Sequence, residues 1–226
     1  MNEVIRSEYD GHGLDEGAMP SAPWPAIQDW VNHARAAHDE RPDVPEPDAL
    51  SVATADASGR PHVRTVLLRY LAADGVGFYT NLESRKGRDL AENAAVAASL
   101  TWPTLYRAIR FAGRIERLPH ETTMAYFQSR PWGSRIGAWA SRQSQPVASR
   151  AELEAAYATV AERWPDCGHA DDVPLPDFWG GYRIVCDEVE FWGGRRSRLH
   201  DRLLYERVGE GDLDRAGAWT CQRLQP

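Results

Sequence analysis

Cysteine is scarce in this sequence. The three cysteines, Cys167, Cys186 and Cys221, are scattered among 226 residues without the close spacing of a metal site or a disulfide framework. We therefore expect reduced thiols, no metal site and a cytoplasmic protein.

Long hydrophobic runs are missing as well. No stretch approaches the roughly 20 apolar residues that a membrane span requires, and the N-terminus lacks the basic segment and apolar block of a signal peptide. The formal net charge of −7 argues against a general nucleic-acid-binding protein. The sequence therefore predicts a protein that associates with neither membranes nor nucleic acid.

The common nucleotide-binding and catalytic motifs are also absent. The sequence contains no G-x-G-x-x-G or G-x-x-x-x-G-K loop, no nucleophile elbow and no H-E-x-x-H pair. Motifs therefore give no support to a dinucleotide-binding, P-loop, serine-hydrolase or zinc-protease function.

The sequence does contain a substantial apolar fraction and many large aromatic residues. Hydrophobic residues make up 42% of the chain, which is enough for a core, and the length fits one domain. Nine tryptophans and eight tyrosines are unusual at this length. Core filling or a subunit interface is their default explanation.

The order of local patterns predicts a mainly β fold with added helices. Residues 1–25, rich in glycine and proline, are expected to form a flexible arm or lid, and residues 26–226 a single domain. Helices are predicted at residues 26–38, 86–93, 119–127 and 149–164. Strands are predicted at residues 50–54, 63–70, 76–79, 96–102, 109–117, 182–186, 189–192, 203–207 and 219–224. Short strands joined by turns favour a closed or partly closed antiparallel barrel. A bulky planar cofactor would then lie outside it, where a second subunit could cover it.

An arginine-rich turn follows the strand predicted at residues 189–192. Residues 191–202 contain four arginines, His200 and Trp192. Arginine forks bind phosphate or carboxylate, histidine titrates near neutrality, and an indole offers a flat apolar surface. The turn therefore indicates a pocket for a planar anion, although a solvated basic turn is the alternative.

Two further clusters indicate phosphate binding. Arg64 and Arg69 lie on one predicted strand, and Ser84, Arg85 and Lys86 stand at a helix N-terminus, where cations oppose the helix dipole unless an anion is bound. The alternative is an ordinary helix cap with solvated charges. A second group, predicted to share one helix face and its continuation, offers a phenol, a guanidinium and a hydroxyl for another phosphate: Tyr126, Arg130 and Ser134. A helix-end charge is the alternative there, and the nearby Gln143-Ser144 pair is by itself only loop chemistry.

Together with their order along the chain, these clusters resemble the pyridoxine/pyridoxamine 5′-phosphate oxidase family, and the resemblance covers almost the whole length of the chain. The most specific matching blocks are residues 78–82 (Phe-Tyr-Thr-Asn-Leu), 84–86 (Ser-Arg-Lys), 129–131 (Ser-Arg-Pro), 136–139 with 143–144, 178–181 (Phe-Trp-Gly-Gly) and 198–202 (Arg-Leu-His-Asp-Arg). The resemblance implies an FMN-binding split β-barrel homodimer with FMN at the subunit interface. It also implies oxidation of pyridoxine 5′-phosphate or pyridoxamine 5′-phosphate to pyridoxal 5′-phosphate, with O2 reduced to H2O2.

The resemblance further implies roles for individual residues. Those implied to bind FMN are Arg64, Thr65, Val66, Leu67, Leu68, Arg69, Tyr79, Thr80, Arg85, Lys86, Gln143, Ser144 and, from the partner subunit, Trp192 and Arg202. Those implied to bind the substrate are Arg6, Tyr9, Arg69, Tyr126, Arg130, Ser134, Arg198 and His200. Arg6 and Tyr9 would form a lid, and Arg198 and His200 would be the catalytic pair that orients the substrate and assists proton movement.

Two positions depart from the family pattern. Arg69 stands where the family has lysine, and Ala108 where it has a glutamine that contacts the flavin. Because Ala108 and Arg110 share one face of their strand, we expect Arg110 to fill part of the vacated space. Two alternatives to the oxidase stay open: an FMN oxidase of a dihydroaromatic, phenazine-precursor-like substrate on the same fold, and a non-catalytic protein that binds FMN or pyridoxal phosphate.

Overall fold

The structure, a computed structural model, describes residues 8–41 and 43–226. Its helices are α1 (Trp24–Glu40), α2 (Arg85–Glu92), α3 (His120–Ser129), α4 (Trp132–Ala140) and α5 (Arg150–Arg163). Its strands are β1 (Ala49–Ala55), β2 (Pro61–Leu67), β3 (Tyr70–Ala72), β4 (Gly75–Asn81), β5 (Ala95–Trp102), β6 (Arg107–Arg117), β7 (Trp179–Gly193), β8 (Asp201–Arg207) and β9 (Trp219–Arg223). Arg6 lies outside the described residues.

The strands form one antiparallel sheet that curves into a half-barrel. Its order is β2-β1-β5-β6-β7-β4-β3, and β8 and β9 extend it from a second part of β7. Strand β7 pairs with β6 along one edge, while its other edge pairs with β4 near Trp179 and with β8 near Gly193. The mainly β split-barrel fold with added helices is thus confirmed.

Helix α1 covers the barrel in the way that its apolar spacing predicts. On α1 the buried residues include Ile27, Trp30, Val31 and Ala34, which face the main core. A smaller apolar cluster joins α3, α4 and α5 to the start of β7 through Phe127, Ile136 and Trp179. None of the helices in the described ranges is long and apolar enough to cross a membrane.

Three local predictions were wrong, each for a physical reason. The two strands predicted at 182–186 and 189–192 are one strand, because continuous pairing with β6 carries β7 past an irregularity at Asp187. The strand predicted at 63–70 ends at Leu67, because the Leu68 and Arg69 amides leave β1 and donate to Asp48 and Gly77 carbonyls. Helix α4, which contains Gly133 and Gly137, has little intrinsic helical signal and was not predicted.

The described part of the N-terminal arm lies against the domain. The Leu14 amide donates to the Asp201 carboxylate at 2.9 Å. The Pro20 carbonyl accepts from the Tyr205 hydroxyl at 2.7 Å. Residues 8–23 are thereby held on the side of the barrel that carries β8.

Candidate functional site

A buried lysine marks the N-terminus of α2. Ser84 caps the helix by accepting from the Gly87 amide, and Lys86 follows two residues later with 7% of its surface exposed. The Lys86 ammonium donates to Thr80 Oγ1 at 2.9 Å and to Gln143 Oε1 at 2.6 Å. Burial, and secondarily the nearby Arg64, lowers the pKa of Lys86 to about 8. Within the described ranges no carboxylate neutralises this ammonium, so an anion would stabilise it.

Arg64 reaches the same place from β2. Its guanidinium donates to the Val52 carbonyl at 3.1 Å and to Thr54 Oγ1 at 2.8 Å. Burial lowers the Arg64 pKa, the Asp89 carboxylate offsets part of this effect, and the charge of Arg85 adds to the lowering. Three cations therefore gather beside the α2 N-terminus, and we call this group, Arg64, Arg85 and Lys86 with Thr80 and Gln143, the basic cradle. Such a cradle fits a phosphate.

The rest of the predicted run on β2 divides between two faces. Thr65 and Leu67 are exposed, whereas Val66 is half-buried and Leu68 is fully buried. Strand β2 is an edge strand, so its backbone groups on one side are available to a ligand. Arg69 is engaged elsewhere: its guanidinium pairs with the carboxylate of Asp48, which also accepts from Arg35 at 2.9 Å.

The predicted second phosphate site is built on a stack of aromatic rings. Tyr79 stacks on Tyr126 with ring centroids 4.0 Å apart, and on Trp179 at 5.6 Å. The Arg130 guanidinium lies 5.0 Å over the Trp179 ring. One of its terminal nitrogens is buried and has no hydrogen-bond partner among the described residues. A buried donor of this kind is costly to leave unsatisfied, so Arg130 is suited to an anion.

The expectation that Tyr126 and Arg130 share one helix face, with Ser134 just beyond it, is wrong. Helix α3 ends at Ser129, and Arg130 is extended because Pro131 follows it. Ser134 is exposed in the first turn of α4. The loop after α4 carries Gln143, which joins the basic cradle, and the exposed Ser144, whose φ of 71° is left-handed.

A second aromatic group surrounds His200 at the far end of β7. The Trp192 ring lies 4.8 Å from the His200 ring, and Tyr9 packs edge-on against both at 5.9 and 5.4 Å. His200 Nδ1 accepts from the Arg195 amide at 3.1 Å, so a neutral His200 carries its proton on Nε2. Arg198 is exposed, with a left-handed φ of 62° directly after Ser197 at 57°. Two such residues in succession store backbone strain.

Arg202 and Arg110 share one carboxylate. The half-buried Arg202 donates two hydrogen bonds to Glu190, at 2.9 and 2.8 Å, and Arg110 pairs with the same carboxylate from β6. These two cations hold the Glu190 pKa below its usual range against the raising effect of burial. Ala108, the cross-strand neighbour of Trp192, is 3% exposed. The structure thus gives Arg110 a partner on Glu190, and its contact with a flavin stays a prediction.

One chain does not bring all of the predicted residues together. Trp179, beside Tyr126 and Arg130, and Trp192, beside His200, stand at opposite ends of the 15-residue strand β7. At about 3.3 Å per residue, the strand places them about 40 Å apart along its length. The basic cradle and the ring stack are neighbours through Thr80 and Tyr79 of β4, whereas Arg198, His200 and Arg202 belong to the distant end.

Several residues of the site were missed by sequence reasoning. Asp89, Thr54 and Glu190 hold the predicted arginines, and Trp179 carries the ring stack. Trp179 stands in the Phe-Trp-Gly-Gly block, which was a usable signal. The other three have no local signature, because their partners lie many residues away in the sequence.

Comparisons with known proteins indicate the family of this chain. A family model described as pyridoxamine 5′-phosphate oxidase matches residues 37–164, and a model described as the pyridoxine 5′-phosphate oxidase C-terminal dimerisation region matches residues 179–226. A pyridoxine/pyridoxamine 5′-phosphate oxidase of Burkholderia lata is 45% identical over 222 residues, covering 98% of this chain and 97% of the relative. Its counterpart from Pseudomonas paraeruginosa is 44% identical over 223 residues, with the same coverage.

Solved structures extend the likeness. The crystal structure of PhzG from Burkholderia lata 383, in complex with tetrahydrophenazine-1-carboxylic acid, is 30% identical with a TM-score of 0.82. The match covers 96% of this chain and 99% of PhzG. A pyridoxamine 5′-phosphate oxidase-related, FMN-binding protein from Nostoc punctiforme is 17% identical with a TM-score of 0.68, which shows a common fold.

Proposed function

Because this chain belongs to the pyridoxamine 5′-phosphate oxidase family, we propose that it is an FMN-dependent oxidase of pyridoxine 5′-phosphate or pyridoxamine 5′-phosphate. The products are pyridoxal 5′-phosphate and H2O2, with O2 as the oxidant. The observation that carries the proposal is that two separate groups with buried cationic nitrogens stand beside adjacent residues of β4. Thr80 belongs to the basic cradle, and Tyr79 to the ring stack with the unsatisfied Arg130 nitrogen.

The basic cradle fits the phosphate of FMN. Lys86 and Arg64 supply buried charge without a neutralising carboxylate on the ligand side, and Arg85, Thr80, Gln143 and Ser144 add donors at its edge. The open edge of β2, at Thr65 to Leu68, offers backbone groups to a planar ring system. When bound, FMN supplies the hydride acceptor that the protein's own side chains lack.

The ring stack fits the phosphate of the substrate. Arg130 provides a buried N–H, and Tyr126 and Ser134 provide hydroxyls on the adjoining helices. In this proposal Arg69 acts on the substrate indirectly, since its guanidinium is already paired with the carboxylate of Asp48. A substrate without an anionic group would leave the Arg130 nitrogen buried and unsatisfied. Arg130 therefore favours a phosphorylated substrate.

Arg198 and His200 are the proposed catalytic residues. Since Nδ1 of His200 accepts from the Arg195 amide, the Nε2–H of a neutral His200 can donate a hydrogen bond to the alcohol oxygen or amine nitrogen of the substrate, and so orient that group while it loses its own proton to solvent. Arg198 extends from a strained backbone and orients the ring. Tyr9 covers His200 and Trp192, in agreement with a lid, and the same part is proposed for Arg6.

A homodimer completes the site in this proposal. The cradle and the catalytic pair of one chain stand beside opposite ends of β7, and these ends are about 40 Å apart along the strand. A second copy, related by two-fold symmetry, supplies Trp192, Arg198, His200 and Arg202 to the first copy's cradle. The family model described as the C-terminal dimerisation region matches residues 179–226, and these four residues lie within that range. FMN then lies at the interface of the two subunits.

The second candidate is an oxidase of a dihydroaromatic substrate. It is favoured by the likeness to PhzG, which was crystallised with tetrahydrophenazine-1-carboxylic acid. Ala108, which removes a polar side chain beside Trp192, also suits an apolar ring. The first candidate is favoured by the unsatisfied Arg130 nitrogen and by the 45% identity to the pyridoxine/pyridoxamine 5′-phosphate oxidase of Burkholderia lata.

One assay separates the candidates. The purified protein is examined for a flavin spectrum and is then supplied aerobically with pyridoxine 5′-phosphate, pyridoxamine 5′-phosphate or a dihydrophenazine carboxylate. We expect pyridoxal 5′-phosphate absorbance and H2O2 with the phosphates. Turnover of the dihydrophenazine alone supports the second candidate. Bound flavin without any turnover supports a non-catalytic FMN-binding protein. A protein that takes up no FMN contradicts both oxidase candidates.

A further inference from the structure

A buried carboxylate lies behind the basic cradle. Asp89 of α2 is 5% exposed and accepts from the Thr54 hydroxyl at 2.6 Å. His62 Nδ1 lies 3.1 Å from the same carboxylate oxygen. The Arg64 guanidinium is 3.7 Å away, beyond hydrogen-bonding distance. Besides this long ion pair, Asp89 reaches Arg64 through an intermediary.

Thr54 is that intermediary. A hydroxyl has one proton, and Thr54 gives it to Asp89. Its lone pairs then face Arg64, whose guanidinium donates to Thr54 Oγ1 at 2.8 Å. Asp89 thus sets the direction of the hydroxyl, and the hydroxyl sets the direction of the guanidinium. The chain of contacts links α2, β1 and β2 at one point.

Asp89 is also the carboxylate nearest to the cradle's charges. Across residues 8–41 and 43–226, no other carboxylate comes within 4.0 Å of Arg64, Arg85 or Lys86. The ammonium of Lys86 is fixed by neutral oxygens alone. Of the cradle's cations, Arg64 is therefore the one whose position depends on a buried acid.

We propose that Asp89 is a positioning residue, which acts through Thr54 on Arg64 and so determines the preference for FMN over unphosphorylated riboflavin. This rests on the proposed binding of the FMN phosphate in the cradle. Asp89 touches neither phosphate nor flavin. Its charge opposes a phosphate electrostatically, so its benefit comes from orientation, and replacing it by asparagine separates the two effects.

The test measures dissociation constants of the flavin-free full-length protein for FMN and riboflavin by quenching of flavin fluorescence. We expect Asp89→Ala to weaken FMN binding about tenfold or more, because a charge-assisted contact is misdirected, and to leave riboflavin binding unchanged within about twofold. Asp89→Asn keeps an acceptor for Thr54, and we expect it to stay within about threefold of the unaltered protein. Asp43→Ala, which removes an exposed carboxylate paired with Arg41, is the control.

Thr54→Val provides a second route if Asp89→Ala does not fold. It removes the hydroxyl but keeps the side-chain volume, and we expect the same selective loss of FMN. In the double variant the two losses should not add, because both break one chain of contacts. Equal loss of both flavins, or unchanged FMN affinity in both variants, overturns the inference. Failure of the unaltered protein to bind FMN instead overturns the proposed function, and the inference with it.

Discussion

Lys86 and Arg130 show how single buried charges define the site. Lys86 is held by Thr80, Ser84 and Gln143, all neutral, and one Arg130 nitrogen has no partner among the described residues. A buried cation costs free energy unless it is neutralised. Both side chains are therefore more stable when an anion is present, and each makes a separate prediction.

The first prediction concerns the pH dependence of FMN binding. The Lys86 pKa is lowered to about 8, so the ammonium loses its proton as the pH rises through that value. We expect FMN affinity to be highest near pH 7 and to fall between about pH 8 and 10, because a neutral amine no longer attracts the phosphate. Lys86→Met should bind FMN more weakly with no such fall. Fluorescence titrations from pH 7 to 10 measure both, and a flat profile in the unaltered protein contradicts this role.

The second prediction separates the substrate site from the flavin site. Arg130→Met keeps much of the apolar stem but removes the buried N–H groups. We expect kcat/KM for pyridoxine 5′-phosphate to fall about tenfold to a hundredfold, mainly through KM, since one charge-assisted contact is lost. FMN affinity should be unchanged.

Arg163→Met is a matched control for that variant, because Arg163 also lies over a tryptophan, Trp164, at 4.5 Å. It stands on α5, away from the ring stack, so steady-state kinetics should match the unaltered protein. A similar loss in both variants would show that stacking on tryptophan, and not phosphate binding, explains the Arg130 effect.

At the scale of elements, the close fit of α2 against the preceding turn places the cradle. A Cβ added at Gly87 would meet the Leu82 carbonyl oxygen at 2.0 Å, a distance that requires backbone movement. By contrast, Gly137 in α4 has open space where its Cβ would be. Close packing therefore requires glycine at position 87, whereas position 137 has room for a larger side chain.

The third prediction follows from that contrast. We expect Gly87→Ala to lower the free energy of unfolding by at least about 2 kcal/mol and to weaken FMN binding, because α2 must move away from Leu82. Gly137→Ala should raise stability by about 0.5–1 kcal/mol through helix propensity. Chemical denaturation with flavin titration measures both. Equal stability of the two variants would falsify the steric argument for α2.

At the scale of the whole molecule, β7 is the element that separates the two halves of the site. It runs from Trp179 beside the ring stack to Trp192 beside His200. No local motion brings the ends of one strand together. The proposed site, which combines His200 with Arg130, therefore requires a second copy.

The fourth prediction tests that arrangement by mixing two impaired variants, Arg130→Met and His200→Ala, and assaying them at a substrate concentration far below KM, where both are weakly active. Their mixed dimer has one doubly altered site and one intact site. After random exchange of equal amounts, about a quarter of the sites are intact, and we expect about a quarter of full activity to return. Each variant alone is the control. If no activity returns although mixed dimers form, each site is contained in a single chain.

Much of this protein was predictable from the sequence by itself. Apolar spacing identified α1 and most strands, because the side of a helix or strand that faces a core repeats with a local period. The matching blocks from Phe78 to Arg202 identified the family, and the clusters around Lys86, Arg130 and His200 identified candidate ligands. These features are local, so neighbouring residues carry the information.

The tertiary structure alone decided how those pieces meet. The contacts of Asp89 with Thr54, of Glu190 with Arg110 and of Arg69 with Asp48 join residues that are 21 to 80 positions apart. The continuity of β7 likewise depends on pairing with β6 and not on its own residues. Sequence periodicity describes which face of an element is apolar, whereas long-range contacts arise only when the whole sheet closes. For that reason the sequence named the candidate charged residues, and the fold determined which of them are held by a partner and which stand at opposite ends of β7.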